Sequence, residues 1–165
     1  MTLTDKQKLK YYQDKGIVPN LILQDASEDK HIIHGARAIN AQVSVPLRKH
    51  TEDYDIYTKK AKKEALEMEK KLDKKFGGDY FRTEQAKHKN TWKVKSNVTN
   101  KTVVDYTGQG KKPTSKNILG NRYATLKAIK SKIHKTLRDE AQEFRHDKDR
   151  ETLQRIKLHE GSLDW

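Results

Sequence analysis

Cysteine is absent from the 165 residues of the sequence. This absence excludes disulfide bonds, thiolate zinc sites and cysteine nucleophiles. Proteins that need no disulfides are typical of reducing compartments, so we expect an intracellular, cytoplasmic location.

Long apolar runs are also missing. The N-terminal stretch "MTLTDKQKLKYYQDKG" has no apolar segment of signal-peptide length, and no later window approaches the ~18 apolar residues of a membrane span. We therefore expect no membrane partner.

Apolar residues make up only 33% of the chain, whereas charged residues make up 36%. The core must therefore be modest, although the length fits one domain. The net charge of +13 and the isoelectric point near 9.7 favour a polyanionic partner such as nucleic acid or nucleotides.

The seven histidines show no spacing typical of a metal site. His31 and His34 flank a short β-prone run and are not at helical i, i+4 spacing, so we expect no zinc site. The sequence contains no G-x-S-x-G motif, and no Gly-Lys-Ser/Thr follows Gly77-Gly78, so it has no signature of a serine hydrolase or a P-loop.

Local signals predict the elements of the first half of the chain. Thr4 and Gln7 form a capping-box pattern, and the helix that they begin is expected to stop at Gly16. "HIIHG" predicts a strand and a turn, "ARAINAQ" a helix, residues 43–49 a loop, and "DYDIYT" a further strand.

The segment "KKAKKEALEMEKKLDKKFGG" carries apolar residues at helical spacing and should end at Gly77-Gly78. Three extended runs follow, "DYFRTEQ", "TWKVKSN" and "KTVVDYT", with a hairpin turn between the last two. "GQGKKPTSKNILGN" has the composition of a basic linker, and "RYATLKAIKSKIHKTLR" and "HDKDRETLQRIKLHEG" predict two helices. We thus expect an α/β domain over residues 1–108, a linker over 109–121 and a helical extension over 122–165.

Asp53 and Asp55 stand one residue apart in a predicted strand and therefore share one of its faces. Two neighbouring carboxylates repel each other unless a cation lies between them, and Mg²⁺ accepts such oxygen ligands. The alternative is a solvated strand face whose acids meet Lys59 and Lys60.

Two further features favour a shared site. Asp105 lies in the apolar run "TVVDYT", where a carboxylate is costly without a partner, and it could complete a triad with Asp53 and Asp55. Gly35 lies between a strand and a helix, where free backbone N–H groups favour a phosphate and Arg37 offers a counter-charge. A phosphate turn and a metal triad together are typical of phosphoryl or nucleotidyl transfer.

The segments "IIHGARAIN", "EDYDIYT" and "TVVDYT", in this order, resemble the nucleotidyltransferase superfamily of the DNA polymerase β type. In that family an apolar strand ends in Gly-Ser or Gly-Gly, a helix and an Asp-x-Asp or Asp-x-Glu strand follow, and a third acid lies on a later strand. Within the superfamily, the chain looks most like small nucleotidyltransferase-like proteins of phages and large DNA viruses. The resemblance covers roughly residues 30–108.

The resemblance implies roles for these residues and a location in the host cytoplasm or the virion. Asp53 and Asp55 would hold Mg²⁺ or Mn²⁺ with the nucleotide, and Asp105 would serve the metal that activates the acceptor hydroxyl. The turn formed by His34, Gly35, Ala36 and Arg37 would bind the triphosphate. Ala36 stands where the family usually has serine or glycine, so a hydroxyl is missing at that position.

Residues 101–138 hold ten lysines and arginines and one acid. Such a stretch could bind a nucleic-acid backbone without reading its sequence, and the alternative is a solvated helix face. The candidate nucleic-acid residues are Lys111, Lys112, Lys116, Arg122, Lys127, Lys132 and Lys135. From Asp139 onward acids predominate, which favours packing on the basic helix or binding to another protein.

The sequence therefore predicts an α/β fold (α+β) in which a small mixed sheet carries the triad at one edge, with flanking helices and a C-terminal helical pair. The hypothesis for function is a metal-dependent nucleotidyltransferase that moves a nucleoside monophosphate from a nucleoside triphosphate to a nucleic-acid or protein hydroxyl. One alternative is a non-catalytic structural or DNA-associated protein of a phage or virus, which would take part in a viral protein assembly. Another is a plain nucleic-acid-binding module.

Overall fold

The structure of the protein is a computed structural model, and it describes residues 2–161. The helices are α1 (Asp5–Asp14), α2 (Ile17–Glu28), α3 (Gly35–Gln42), α4 (Ala61–Phe76), α5 (Leu126–Leu137) and α6 (His146–Gly161). The strands are β1 (Ile32–His34), β2 (Tyr54–Tyr57), β3 (Phe81–Gln85), β4 (Thr91–Ser96), β5 (Thr102–Thr107), β6 (Ser115–Ile118) and β7 (Asn121–Ala124). Short 3₁₀ turns cover Val45–Leu47 and Glu140–Arg145.

The seven strands form one mixed sheet in the order β3-β4-β5-β2-β1-β7-β6. β2 runs parallel to β5 and β1 runs parallel to β7, whereas the other neighbouring pairs are antiparallel. The predicted fold class, a mixed sheet with flanking helices, is confirmed. Because β2 and β5 lie in the middle of this order, the expectation that Asp53, Asp55 and Asp105 lie at one edge of the sheet is wrong.

Helices cover both faces of the sheet. α2 and α4 pack on one face over the larger core, and Tyr11 of α1 stacks there against Phe76 at a ring distance of 5.6 Å. α3 and α5 pack on the other face, where α6 lies against α5. The β strands alternate accordingly, with Ile33, Ile56 and Tyr106 on the α4 side.

The clearest sequence signals formed the elements that they predicted. Thr4 and Gln7 make both hydrogen bonds of the capping box, at 2.9 and 3.2 Å, because each side chain accepts from the other residue's otherwise unpaired backbone N–H. α4 ends at Gly77, whose φ of +80° is the left-handed conformation that favours glycine at a helix end. The hairpin between β4 and β5 and the C-terminal helix pair are also present.

The sequence reading missed α2. Gly16 does not separate α1 from a loop, because a second helix begins at Ile17, directly after it. The segment "IVPNLILQ" is almost continuously apolar, so its periodicity gives no helical signal, and Pro19 lies in the first turn, where its missing N–H costs no helical hydrogen bond.

The expectation of an irregular linker over residues 109–121 is wrong for its second half. Residues 115–118 form β6, which pairs antiparallel with β7, and β7 pairs in parallel with β1. Arg122 therefore begins no helix; it lies within β7, and α5 starts at Leu126. β7 is held by backbone pairing with β1, and β6 by backbone pairing with β7. The side-chain pattern of these two polar strands does not show this pairing. The division of the chain into domains stays a prediction.

Within residues 2–161, no helix has the length and apolar character needed to cross a membrane.

Candidate active site

Strand register brings the predicted site residues into one row. Asp105 of β5 pairs with Asp55 of β2, and Asp55 pairs on its other side with His34 of β1. Lys93 of β4 pairs with Asp105 and extends the row by one strand. Directly paired residues point to the same face of a sheet, so the side chains of these residues share the face that α3 and α5 cover in part.

Asp53 lies just before β2 and joins the same group. Its carboxylate accepts a hydrogen bond from the Thr51 hydroxyl at 3.2 Å, and its backbone carbonyl accepts one from Arg37 Nε at 3.1 Å. The Arg37 guanidinium also lies 4.0 Å from the ring centroid of Tyr54. Arg37 thus joins α3 to the start of β2 and positions the backbone of Asp53.

The three aspartates come close enough to share a cation. Each offers one carboxylate oxygen, and these oxygens all lie within 4.8 Å of one another. Asp105 Oδ1 is buried and has no hydrogen-bond partner among the described residues. A buried carboxylate oxygen without a donor is costly, which makes it a suitable ligand for a cation.

The electrostatics of the group follow from this crowding. Burial raises the pKa of Asp55 from its ordinary value of 3.8 to about 7, and the negative charges of Asp105 and Asp53 contribute to that rise. Burial also raises the pKa of Asp105, with a contribution from Asp53, while Lys93 and Lys95 act in the opposite direction. The group therefore carries negative charge that no lysine fully compensates.

These residues fit Mg²⁺ or Mn²⁺. The donors are all carboxylate oxygens, which both ions accept, and the orphaned Asp105 oxygen supplies an unused ligand position. A divalent cation would also offset both the burial of the Asp55 carboxylate and its repulsion by Asp105 and Asp53, which together raise its pKa.

Gly35 forms the turn between β1 and α3 and lies directly against Asp55. Its φ is +64°, and a Cβ at this position would collide with Asp55 Oδ2 and lie 3.1 Å from Asp55 Cγ. Both the backbone and the contact therefore require glycine. No side chain caps α3, so its first N–H groups stay available at the positive end of the helix.

Ala36 and His34 contribute less to phosphate binding than the sequence predicted. Ala36 supplies no hydroxyl, and His34 supplies no positive charge, because burial and the nearby Lys132 lower the pKa of His34 to about 3. Its Nε2 is buried without a hydrogen-bond partner among the described residues. His34 is therefore a neutral imidazole at physiological pH.

Two lysines of the C-terminal helices act on the aspartates. Lys132 of α5 and Lys148 of α6 both lower the pKa of Asp55. Burial lowers the pKa of Lys132, and the positive charge of Arg145 acts in the same direction. The C-terminal helices thus contribute positive charge beside the phosphate turn.

The remaining predicted nucleic-acid residues lie on the surface at other places. All are exposed: Lys111, Lys112, Lys116 on β6, Arg122 on β7, and Lys127 and Lys135 on α5. Arg122 donates to the Ser115 hydroxyl at 3.1 Å. Among the seven basic residues predicted to bind nucleic acid, Lys132 is the one whose charge lowers the pKa of Asp55.

The sequence reading missed Lys93, Lys95 and Lys148 as neighbours of the aspartates. Lys93 and Lys95 alternate with apolar residues in β4, and a hairpin with Asp105 in the opposite strand was already predicted. The register shifts by one residue between Val94 and Lys95, so counting back from the Lys95–Thr102 pair beside the turn would have placed Trp92 opposite Asp105. No local signal connects Lys148 to this site.

No protein-family model matches the sequence, and no curated protein shows significant sequence similarity to it. Among solved structures, the chain is similar to the crystal structure of the Megavirus polyadenylate synthase, with a TM-score of 0.73 and 18% sequence identity. The match covers 89% of this chain and 32% of that protein, so the chain spans about a third of the length of the Megavirus enzyme. The similarity shows that the chain has a nucleotidyltransferase-like fold.

Proposed function

We propose that the protein is a metal-dependent nucleotidyltransferase that moves a nucleoside monophosphate from a nucleoside triphosphate to a hydroxyl of a nucleic acid. The observation that carries the proposal is the convergence of Asp53, Asp55 and Asp105 on one sheet face, with oxygens within 4.8 Å, beside the uncapped start of α3. The nucleotidyltransferase-like fold supports it.

In this reaction the acceptor oxygen forms a bond to the α-phosphorus, and the bond from that phosphorus to the bridging oxygen of the β-phosphate breaks. Pyrophosphate leaves, and the acceptor hydroxyl loses its proton. Bound Mg²⁺ or Mn²⁺ would neutralise phosphate charge and ease that loss. Asp53 and Asp55 would hold the metal ion that contacts the nucleotide. Asp105, whose Oδ1 has no hydrogen-bond partner among the described residues, would lie toward the acceptor hydroxyl.

The β1–α3 turn would bind the triphosphate. Gly35 has no side chain to block a phosphate, the first N–H groups of α3 are uncapped, and Lys132 brings a positive charge close to His34 and Asp55. Backbone donors and a helix N-terminus are a favourable environment for phosphate oxygens.

Positive charge beside Asp105 favours a nucleic acid as the acceptor. Lys93 and Lys95 both act on Asp105 from the neighbouring strand, on the side away from the phosphate turn. A polynucleotide backbone could contact them while its terminal hydroxyl approaches Asp105. The name of the Megavirus protein, a polyadenylate synthase, is consistent with an RNA acceptor. A protein hydroxyl is the second acceptor to be tested.

Labelled nucleoside triphosphates, with Mg²⁺ or Mn²⁺ and with RNA, DNA and protein acceptors, test the proposal. We expect transfer of label to a nucleic acid, lost in Asp53→Asn and Asp55→Asn and retained in Asp147→Asn, which changes an exposed carboxylate of α6. Equal labelling by wild type and the two triad variants would overturn the proposed role of the triad. Absence of labelling by the wild type would favour a non-catalytic protein.

The alternative of a non-catalytic protein that keeps the fold is favoured by Ala36, which supplies no hydroxyl, and by His34, which is neutral. The charge of Arg37 remains in the turn, but its guanidinium is engaged with the Asp53 carbonyl and the Tyr54 ring. No observation on residues 2–161 supports its place in a viral assembly. Calorimetric titration separates the two proposals: the enzyme should bind Mg²⁺ with nucleotide, and the non-catalytic protein should bind neither. Salt-dependent RNA binding that persists without all three aspartates, and without nucleotide binding, would favour the nucleic-acid-binding module.

A further inference from the structure

A second group of potential metal ligands lies on the opposite face of the sheet. Asp25 of α2, Asp29 and His31 between α2 and β1, and Glu64 of α4 each offer one ligand atom, and these atoms all lie within 4.8 Å of one another. The face is opposite because α2 and α4, which carry Asp25 and Glu64, pack on the side of the sheet that Tyr106 faces, whereas Asp105, its neighbour in β5, faces the triad.

Two carboxylates of this group are almost completely buried. Asp25 is 5% exposed and Glu64 is 8% exposed. Burial of a carboxylate is unfavourable unless an opposite charge or hydrogen bonds compensate it. Lys71 forms an ion pair with Asp25, and His31 Nε2 lies 4.0 Å from Glu64 Oε1. Three carboxylates and one ammonium give this group an excess of acidic side chains over fixed cations.

Unsatisfied polar atoms surround this group and point to a missing partner. Glu64 Oε2 and His31 Nδ1 are buried and have no hydrogen-bond partner among the described residues. The same holds for the hydroxyl of Tyr106, which is 0% exposed. Burial raises the pKa of Tyr106, and the negative charges of Asp25 and Glu64 raise it further.

We propose that Asp25, Asp29, His31 and Glu64 bind a divalent first-row transition-metal ion of the Zn²⁺ or Mn²⁺ class. One imidazole with carboxylates is a ligand set that such ions accept, whereas Mg²⁺ favours oxygen and keeps its waters. The expectation of no zinc site rested on the spacing of histidines along the sequence. The proposed ligands come from α2, from the α2–β1 connection and from α4, so histidine spacing could not reveal them.

The geometry allows the ion to enter. Lys71, whose side chain is 47% exposed, can release Asp25 and turn toward solvent. The Tyr106 hydroxyl is then available to donate a hydrogen bond to a ligand oxygen of Asp25 or Glu64, as is common around metal ligands. The bound ion would join the end of α2 and the start of β1 to α4, and its role would be to stabilise this side of the fold.

Co²⁺ is the probe for a test on the full chain, because its visible absorption reports nitrogen and oxygen ligation. The protein is first treated with a chelator, and excess Mg²⁺ is then added to occupy the triad. We expect one equivalent of Co²⁺ to give visible bands, and Zn²⁺ to abolish them by competition. Glu64→Gln and His31→Gln should weaken Co²⁺ binding about 100-fold or more, since even the loss of residues that only orient ligands costs 10–100-fold.

Two control variants should keep the bands. Glu67→Gln changes a carboxylate on the same helix outside the group, and Asp55→Asn changes the triad on the other face. Thermal melts with excess Mg²⁺ on the triad provide a second measurement, in which Zn²⁺ should raise the melting temperature of the wild type but not of a folded Glu64→Gln variant. The proposal would be overturned if the wild type gave no bands and no thermal shift, if both ligand variants bound Co²⁺ like the wild type, or if Asp55→Asn removed the bands. In the last case the bound ion would belong to the triad.

Discussion

Replacement of Asp55 by asparagine should stabilise the metal-free protein at high pH. The side chain of Asp55 lies against Gly35 and beside Asp105, and its partly buried carboxylate is repelled by two neighbouring aspartates. Asparagine keeps nearly the same shape and removes the charge. The change should therefore remove an unfavourable electrostatic interaction that the folded chain tolerates without a cation.

The magnitude follows from the pKa of Asp55, which is about 7 in the folded state against 3.8 ordinarily. A difference of about 3 pKa units, at 1.36 kcal/mol per unit, corresponds to about 4 kcal/mol. Because the folded pKa is the higher one, the folded protein binds the proton more tightly. The contribution of Asp55 to the free energy of unfolding is thus most favourable below pH 4 and becomes unfavourable as pH rises to about 7.

Urea unfolding at several pH values, with a chelator present, measures this effect. Asp55→Asn should be more stable than the wild type by about 4 kcal/mol at pH 8, and the two should differ by less than about 1 kcal/mol at pH 4. Comparison of the two proteins at each pH cancels the titration of other groups. Addition of Mg²⁺ at pH 8 should stabilise the wild type selectively and reduce the difference. Asp147→Asn, at an exposed position, should change stability by no more than about 0.5 kcal/mol.

The reasoning would be refuted by an Asp55→Asn variant that is no more stable than the wild type at pH 8. It would also be refuted by a stability difference that does not change between pH 4 and pH 8, since burial and repulsion of a charge require that dependence.

Three further changes test the geometry of the sheet and its two faces. Gly35→Ala should lower the free energy of unfolding by more than the about 1–2 kcal/mol expected from its positive φ, and it should weaken Mn²⁺ binding measured by calorimetry. Gly110 also has a positive φ but has open space around it. Gly110→Ala should therefore show only the backbone cost in urea unfolding and should leave Mn²⁺ binding unchanged. Lys93→Gln should weaken RNA binding and reduce the slope of log affinity against log salt by about 1, measured by fluorescence anisotropy. Lys70→Gln on α4 should leave both the affinity and the slope unchanged. Equal effects of the two variants would contradict an RNA contact near Asp105. Leu72→Ala, in a fully buried position, should cost about 2–5 kcal/mol in urea unfolding, and a loss below 1 kcal/mol would contradict its place in the core.

Local sequence determined the elements that depend on neighbouring residues. The capping box at Thr4 and Gln7, the helical spacing of α4 and its glycine end, and the alternating strands β4 and β5 could all be read directly. The interactions that stabilise these elements join residues within one helix turn or one strand. They could therefore be predicted without the tertiary structure. The polar strands β6 and β7 are different. They pair with each other, and β7 joins them to the sheet by pairing with β1, which is distant in sequence.

The candidate active site was predictable in its residue types but not in its surroundings. The Asp-x-Asp pattern placed Asp53 and Asp55 on one face, and the apolar context of Asp105 marked it as unusual. The row that joins Asp105, Asp55 and Lys93 exists only because β2 lies parallel to β5 and antiparallel pairing aligns β4. The neutral state of His34 depends on burial by other elements, which no local pattern reports.

The sequence by itself determined that this is a basic chain without cysteine, with one carboxylate pair and one glycine turn suited to phosphate chemistry. Only the tertiary structure decided that Asp105 completes that pair and that Gly35 lies against Asp55. The same holds for the grouping of Asp25, His31 and Glu64 on the opposite face. The physical reason is range: helix caps and strand alternation are set by residues a few positions apart, whereas charge repulsion, burial and ion binding depend on distances in space between residues that are far apart in the chain.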